Sequence, residues 1–523
     1  MANYQLPPYW AENLYGGYGS PIFLFYAPLY MLVATIFYLV TGSIIGGSIL
    51  AISFFTVVGA LGVYLLVQEM LGEKTYVNQC AARIGSYFFI LNPYLIGDKL
   101  IRIANSEYTA LCLAPISLYG LVRIKQEPLK GSLILAAGLA LGILAHNLTS
   151  LIIAAMLITL ASILYWGNER KQIWLFILGG IILGLLLSAF FWLPALYYKS
   201  LTHTEQLTQG RYDFHAQFKA LSKFFTNSDY FSMGLLNLWI IIQSAAILWT
   251  QRNEEKTAKI TLAKTFLIFA LLFIFLQTKL SLPLWENISY LALFQFPWRM
   301  MGPLALVISI LAGLLLPLYY KNNNYKSLNK LELSLLILCI INILPLLVVN
   351  LPLSESMIKD LTSKFETKNI KTMILTSTEV DEYLPKSARI KLKHYANEFS
   401  PLILGETAEY GTTIIKESGT EIILETNSSN PVQLELKRWF FPDWKCSING
   451  REQPVNISNN GLISIKIPAG QNRISLKLYP PLLRRIFTWI SLSSLIVWIL
   501  LAIKAYYVSR THPVNQKQAI QGQ

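Results

Sequence analysis

The chain has 523 residues, of which 54% are hydrophobic and only 14% charged, with a net charge of +14. A soluble protein carries about 25% charged residues, so a large soluble enzyme with a greasy core is excluded. The positive charge does not indicate nucleic acid, because Lys and Arg gather in short connectors between apolar runs and no basic patch is interleaved with aromatics.

In chain order, residues 1–20 are aromatic, Gly-rich and polar, without the basic and apolar regions of a signal peptide. About a dozen apolar segments follow, near 21–41, 45–70, 80–97, 105–122, 131–146, 147–166, 173–196, 235–250, 259–278, 291–320, 333–353 and 481–505. Most reach the length of a membrane-crossing helix, and stretches such as 173–196 and 333–353 are apolar all round. The run 22–40 allows two readings. It is long enough to span, yet its crowded aromatics and Pro28 suit an interfacial helix.

Short basic connectors hold Arg123, Lys125 and Lys130, then Arg170 and Lys171, then Arg252, Lys256 and Lys259, then Lys321, Lys326 and Lys330. The positive-inside rule assigns these to the cytoplasm, and alternation puts 197–234, the loop around Asp98 and 354–480 outside. Within 354–480 the first part, 354–371, reads as an amphipathic helix. The second half alternates like strands at 420–425, 432–436 and 463–467, with turns at Asn449-Gly450, Asn459-Asn460-Gly461 and Pro468-Ala469-Gly470. The expected fold is mainly α: a polytopic membrane protein with a small extracytoplasmic β-sandwich before its last transmembrane helix. Its parts are an external loop remnant at 1–20, a transmembrane domain at 21–353, a β-rich domain at 354–480, a final helix at 481–505 and a cytoplasmic tail at 506–523.

Cys80, Cys112 and Cys339 lie in or beside apolar segments, and Cys446 is the single cysteine of the polar domain, so that domain holds no internal disulfide. The five histidines are scattered, and no Cys or His spacing suggests a metal site. The densest polar stretch runs from Asp98 to Glu107 between two apolar runs. Asp98 and Arg102 are spaced to share a helix face. They either pair to stabilise a turn, or form a site where Arg102 grips a phosphate through its guanidinium fork. His146 and Asn147 mark a tight hairpin at membrane depth, where polar groups are costly; they satisfy hairpin backbone groups or act in function. Gln295, Trp298 and Arg299 open a long helix on the outer side, against the positive-inside trend, so Arg299 either snorkels to headgroups or binds an anion. The loop 197–234 adds His203, Glu205, Arg211, Asp213 and His215 without a specific role.

The opening Pro8-Tyr9-Trp10-Ala11-Glu12-Asn13-Leu14, then Gly17-Tyr18-Gly19-Ser20-Pro21-Ile22-Phe23 and Phe25-Tyr26-Ala27-Pro28-Leu29, resembles the first external loop of a bacterial membrane family. That family is labelled after a 6-pyruvoyl-tetrahydropterin synthase-related domain, is similar to YfhO-like proteins and more distantly resembles GT-C-fold glycosyltransferases. Leu91-Asn92-Pro93-Tyr94 with Asp98, Arg102 and Glu107 resembles its second external loop, and 294–299 a further motif. Glu382-Tyr383-Leu384-Pro385 and Phe441-Pro442-Asp443-Trp444-Lys445 with Asn449-Gly450 resemble its C-terminal β-domain. The pterin label implies no pterin chemistry, since those soluble enzymes use a histidine zinc site.

The resemblance implies a GT-C-like helical bundle that transfers sugar, with inversion, from a polyprenyl-phosphate donor at the outer face. Arg102 and Arg299 would hold the donor phosphate, with Glu12, Asp98, Glu107, His146, Asn147, Gln295 and Trp298 as further candidate binding residues. The acid such enzymes use lies just after their first transmembrane helix. The chain is expected to begin part-way through that loop, so the catalytic residue is unknown and Glu12, the nearest acid, is not given the role. No cofactor is assigned, and a divalent cation is the one candidate. Membrane lipids are expected partners, nucleic acid is not, and the oligomeric state is left open. The alternatives are a non-catalytic membrane scaffold and a lipid or polysaccharide transporter.

Overall fold

The computed structural model describes residues 9–12, 14–167, 171–224, 232–251, 257–320, 325–350, 381–388, 403–404, 410–479 and 482–511. The chain divides into two compact units. One gathers 1–26, 190–209 and 353–489, the other 27–189, 210–352 and 490–523. The expected helix at 354–371 lies outside the described residues.

The larger unit is a bundle of α-helices: α1 (Leu29–Thr41), α2 (Ile44–Leu71), α3 (Tyr76–Ile90), α4 (Pro93–Leu100), α5 (Asn105–Arg123), α6 (Pro128–Ala145), α7 (Asn147–Tyr165) and α8 (Lys171–Leu187). After α9 (Ala189–Tyr198), which from Phe190 belongs to the smaller unit, come α10 (Leu235–Thr250), α11 (Ala258–Gln277), α12 (Leu282–Asn287), α13 (Ser289–Ala292), α14 (Met301–Tyr319), α15 (Tyr325–Asn350) and the last helix, α16 (Leu482–Thr511), which joins the larger unit from Ile490. Among the described residues seven helices are long and apolar enough to cross a membrane, or eight if the broken pair at 171–201 counts as one. The protein is therefore a polytopic helical membrane protein with a small β region near its C-terminal end.

Helix α14 forms the axis of the bundle, with every residue from Met301 to Leu316 buried. Close packing elsewhere depends on small residues, as expected where lipid offers no hydrophobic drive between helices. A Cβ on Gly120 of α5 would lie 2.3 Å from the Leu135 backbone nitrogen of α6, and one on Gly131 would lie 2.4 Å from that of Ile124. The two helices touch backbone to backbone.

Several expected segments are broken. The run at 80–97 is two helices, because Asn92 is extended and caps α4 while Pro93 takes its first position. The run at 291–320 begins in the short α13 and enters its long helix only after a 3₁₀ turn at Pro297–Met300. The run at 173–196 breaks at Ser188. At 21–41 only the 13 residues of α1 are α-helical, too few to span, and they fold back along α2.

The smaller unit is a β-sandwich. Its strands are β1 (Ile403–Leu404), β2 (Tyr410–Glu417), β3 (Glu421–Ser428), β4 (Val432–Trp439), β5 (Trp444–Ile448), β6 (Arg451–Gln453), β7 (Asn456–Ile457), β8 (Leu462–Ile467) and β9 (Gly470–Leu478). They form two antiparallel sheets, ordered β1-β4-β8-β7 and β2-β3-β9-β5-β6. Asn449 and Gly450 both have positive φ, the requirement of a two-residue hairpin turn between β5 and β6. The inward positions Ile422, Leu424, Leu434, Leu436, Ile474 and Leu476 are fully buried.

Tyr9, Trp10, Tyr15, Tyr18 and Leu24 join this core. Tyr18 stacks on Trp439 at 4.9 Å, and Trp10 meets Trp444 edge-on. The motif at 9–18 is thus packed into the β unit.

Candidate functional site

The end of α2 and α5 that meets the start of α3 carries paired charges. There Arg123 pairs with Glu69 and Glu127, and Arg83 makes a bidentate pair with Glu332 at 2.6 and 2.8 Å. The opposite ends of α3, α5 and α6 hold a second polar cluster, in which the charges are more deeply buried. It is built where α3 stops. Asn92 accepts from the Tyr94 N–H at 3.0 Å and starts α4, whose turns place Tyr94, Asp98 and, one turn further, Arg102 along one side. The chain reverses through Ile103, at φ 54, into α5 and delivers Glu107 in its first turn.

Glu107 is 3% exposed and Asp98 fully buried. Arg102 pairs with Asp98 and donates to the Tyr94 hydroxyl at 3.1 Å. Tyr94 donates in turn to Glu107 Oε1 at 2.9 Å. Glu107 Oε2 takes Arg299 Nε at 3.2 Å and Arg102 Nη2 at 3.5 Å. Arg299 also donates through Nη1 to the Phe294 carbonyl at 2.8 Å and to Gln295 Oε1 at 3.1 Å. The 3₁₀ turn carrying Arg299 also presents Trp298, which stacks on Phe296 at 4.8 Å and lies under the Arg102 guanidinium at 4.5 Å. Low polarity strengthens each bond, and the loss of any partner would leave a buried charge.

The network is uneven. Both oxygens of Glu107 are engaged, whereas Oδ2 of Asp98 is buried with no hydrogen-bond partner among the described residues. The amide nitrogen of Asn92 is in the same state. His146 caps α7: its Nδ1 accepts from the Thr149 N–H at 3.2 Å, leaving Nε2 to carry the proton of the neutral ring, and the ring lies within electrostatic reach of Glu107 and Arg299. Asn147 is exposed at the first position of α7.

Of the residues singled out in the sequence, the structure therefore gathers Asp98, Arg102, Glu107, Gln295, Trp298 and Arg299, with His146 beside them. Glu12 belongs to the β unit, where its side chain lies against Gly419. His203 and Glu205 also fall in that unit, 3.2 Å apart. In the bundle unit, His215 contacts Asp213 at 2.6 Å and Glu286 at 3.5 Å, all three about half exposed. Tyr94, part of the Leu91–Tyr94 motif but without an expected role, bridges Arg102 and Glu107. Its signal was present in the spacing of Tyr94, Asp98 and Arg102, four residues apart behind an Asn-Pro helix start. Among the described residues no three His, Cys, Asp or Glu side chains assemble into a group able to hold a metal ion, and Asp98 and Glu107 are already committed to arginines.

These features define a class: a multi-helix membrane protein with a buried arginine–carboxylate network at one end of its bundle. The matching family model is that of the 6-pyruvoyl-tetrahydropterin synthase related domain, a membrane protein family, and it covers residues 23–353. The chain belongs to this family, and a relation to YfhO-like proteins is consistent with the match. Comparisons with curated proteins and with solved structures return no match.

Proposed function

We propose that the chain is a GT-C-like membrane glycosyltransferase, or a relative of one, acting on a polyprenyl-phosphate-linked sugar at the outer face of the membrane. The observation that carries the reading is the convergence of Arg102 and Arg299, from separate elements, on one oxygen of Glu107 beside Trp298. Two pre-positioned guanidinium forks suit a phosphate leaving group, whose charge grows as the glycosidic bond breaks. In this reading Glu107 and Tyr94 hold the forks in place. Asp98, with its unbonded oxygen, is the acid best suited to take a proton from an acceptor hydroxyl. The outward assignment rests on charge in the sequence: the positive-inside rule gives the short basic connectors to the cytoplasm, and alternation of the apolar runs puts the loop around Asp98 outside. By the same rule the β unit is extracytoplasmic and the tail cytoplasmic.

Transfer of labelled sugar from polyprenyl-phosphate donors in membranes tests this. Arg102→Ala and Asp98→Asn are each expected to lower the rate by about 100-fold or more. A rate unchanged in Arg102→Ala would sink the proposal. One observation favours a second reading, a non-catalytic scaffold: two arginines and two carboxylates already neutralise one another. Under that reading no donor is turned over, and the same substitutions lower only stability.

A further inference from the structure

Lys99 stands apart from this balanced network. It follows Asp98 on the last turn of α4 and is half-buried, with its ammonium 5.4 Å from the centroid of the Tyr108 ring. No carboxylate pairs with it among the described residues. The charges of Asp98, Glu107, Arg102 and Arg299 cancel, which leaves Lys99, among the described residues, as a cation without a carboxylate partner on α4. A half-buried ammonium without a carboxylate partner is costly, and an ionisable group of this kind in a membrane protein is a candidate functional site.

What surrounds Lys99 indicates where its anion would come from. Tyr108 donates to or accepts from Thr56 of α2 at 2.7 Å, and Asn105 donates to the Tyr30 hydroxyl of α1 at 2.9 Å. Lys99 therefore faces the α1–α2 hairpin. That hairpin continues past the Thr56–Tyr108 level by twelve residues of α2, about 18 Å. Its surface there is apolar and open: Leu39 is 73% exposed, Val40 79% and Ile49 57%, a face that needs hydrocarbon around it. The 28 residues of α2 span about 42 Å, about 12 Å more than a hydrocarbon core. Even with all the excess at the hairpin tip, Tyr108 lies about 6 Å inside the hydrocarbon boundary. A soluble anion does not reach that depth readily, whereas a phosphate carried on a lipid arrives there sideways.

We propose that Lys99 binds the phosphate of a lipid-borne substrate at a mouth framed by α1, α2, α4 and α5 that opens onto the bilayer. This deepens the reading of the arginine site as a phosphate-handling site, but it does not depend on sugar transfer. Lys99 captures the phosphate as the lipid enters, and the arginines take it over further in.

The test uses the full chain in nanodiscs with a photoreactive polyisoprenyl monophosphate, and reads covalent labelling. Lys99→Gln and Lys99→Met are expected to lose about tenfold or more of the labelling, and Lys99→Arg to keep most of it. Two substitutions are used so that failure of one to fold leaves the other. A neutral polyisoprenol is expected not to compete, and neither is millimolar inorganic phosphate. Wild-type labelling in both Lys99→Gln and Lys99→Met, with loss in Arg102→Ala, overturns the role of Lys99 and leaves the arginine site standing. Competition by inorganic phosphate as effective as by the lipid phosphate overturns the lipid source. Absence of labelling in the wild type overturns both the mouth and the phosphate reading of the arginines.

Discussion

Arg299 in the helical bundle and Arg438 in the β unit are 7% and 5% exposed, yet their charges are answered in different ways. Arg299 meets Glu107, itself buried, in a network that also holds Arg102, Tyr94 and Asp98. Arg438 reaches the carbonyls of Gly17 and Lys437 and meets Glu417, whose side chain is 41% exposed, at 2.8 Å. The second arrangement fastens a chain segment to a sheet: it borrows backbone acceptors and keeps its counter-charge in solvent. The first does no such stapling. A bundle of this kind could close the same gap with Leu and Phe at no loss of stability, so placing four buried charges there points to a task other than holding the helices together.

That contrast can be broken by experiment. Glu107→Ala should have the largest effect, costing about 3–5 kcal/mol, because it leaves the buried Arg299 guanidinium without a carboxylate and Arg102 with Asp98 alone. Thermal unfolding of the detergent-solubilised chain would reveal it. Trp439→Ala should follow closely at about 3–5 kcal/mol, but with its loss of hydrogen-exchange protection confined to the β unit. If Glu107→Ala instead loosens both units equally, the separation drawn here fails.

A smaller effect is expected at Asp443. Burial pushes its carboxyl up to about 7, while the positive charge of Arg484 works in the opposite direction, and the Tyr198 hydroxyl donates to its Oδ2 at 2.9 Å. Since the folded form holds this proton more tightly than an unfolded chain, with its carboxyl near 4, the contribution to stability is complete below about pH 4 and is lost as pH rises to about 7. Exchange protection in β5 should fall over that range in the wild type and stay level in Asp443→Asn. The smallest effect belongs to Glu417→Ala, at most about 1 kcal/mol, because Arg438 keeps its two carbonyls and solvent replaces the lost partner. A cost as large as that of Glu107→Ala would erase the distinction between the two arginines.

Much of this architecture is written locally in the sequence. Runs of apolar residues announce the spanning helices, and β3, β4 and β8 follow the alternation at 420–425, 432–436 and 463–467. The pairing of Asp98 with Arg102 follows from four-residue spacing. What could not be read is tertiary. Nothing in the local pattern says that Arg299, 192 residues beyond Glu107, closes on the same carboxylate, because that depends on how the turn before α14 packs against α5. The burial of Tyr9, Trp10 and Tyr18 in a sandwich whose strands begin some 400 residues later is equally invisible to periodicity. The helix breaks were partly legible: Pro93 dictates one, but Ser188 carries no comparable signal.

Gln295 shows what a positioned guanidinium costs its host. It holds a left-handed backbone, φ 65, that glycine adopts freely and a side chain with a Cβ does not. Its amide oxygen is also what holds Nη1 of Arg299. Glycine here would relieve about 1 kcal/mol of backbone strain but would remove a hydrogen bond to a buried guanidinium and leave Arg299 less firmly aimed. Backbone ease and side-chain aim are opposed at this residue.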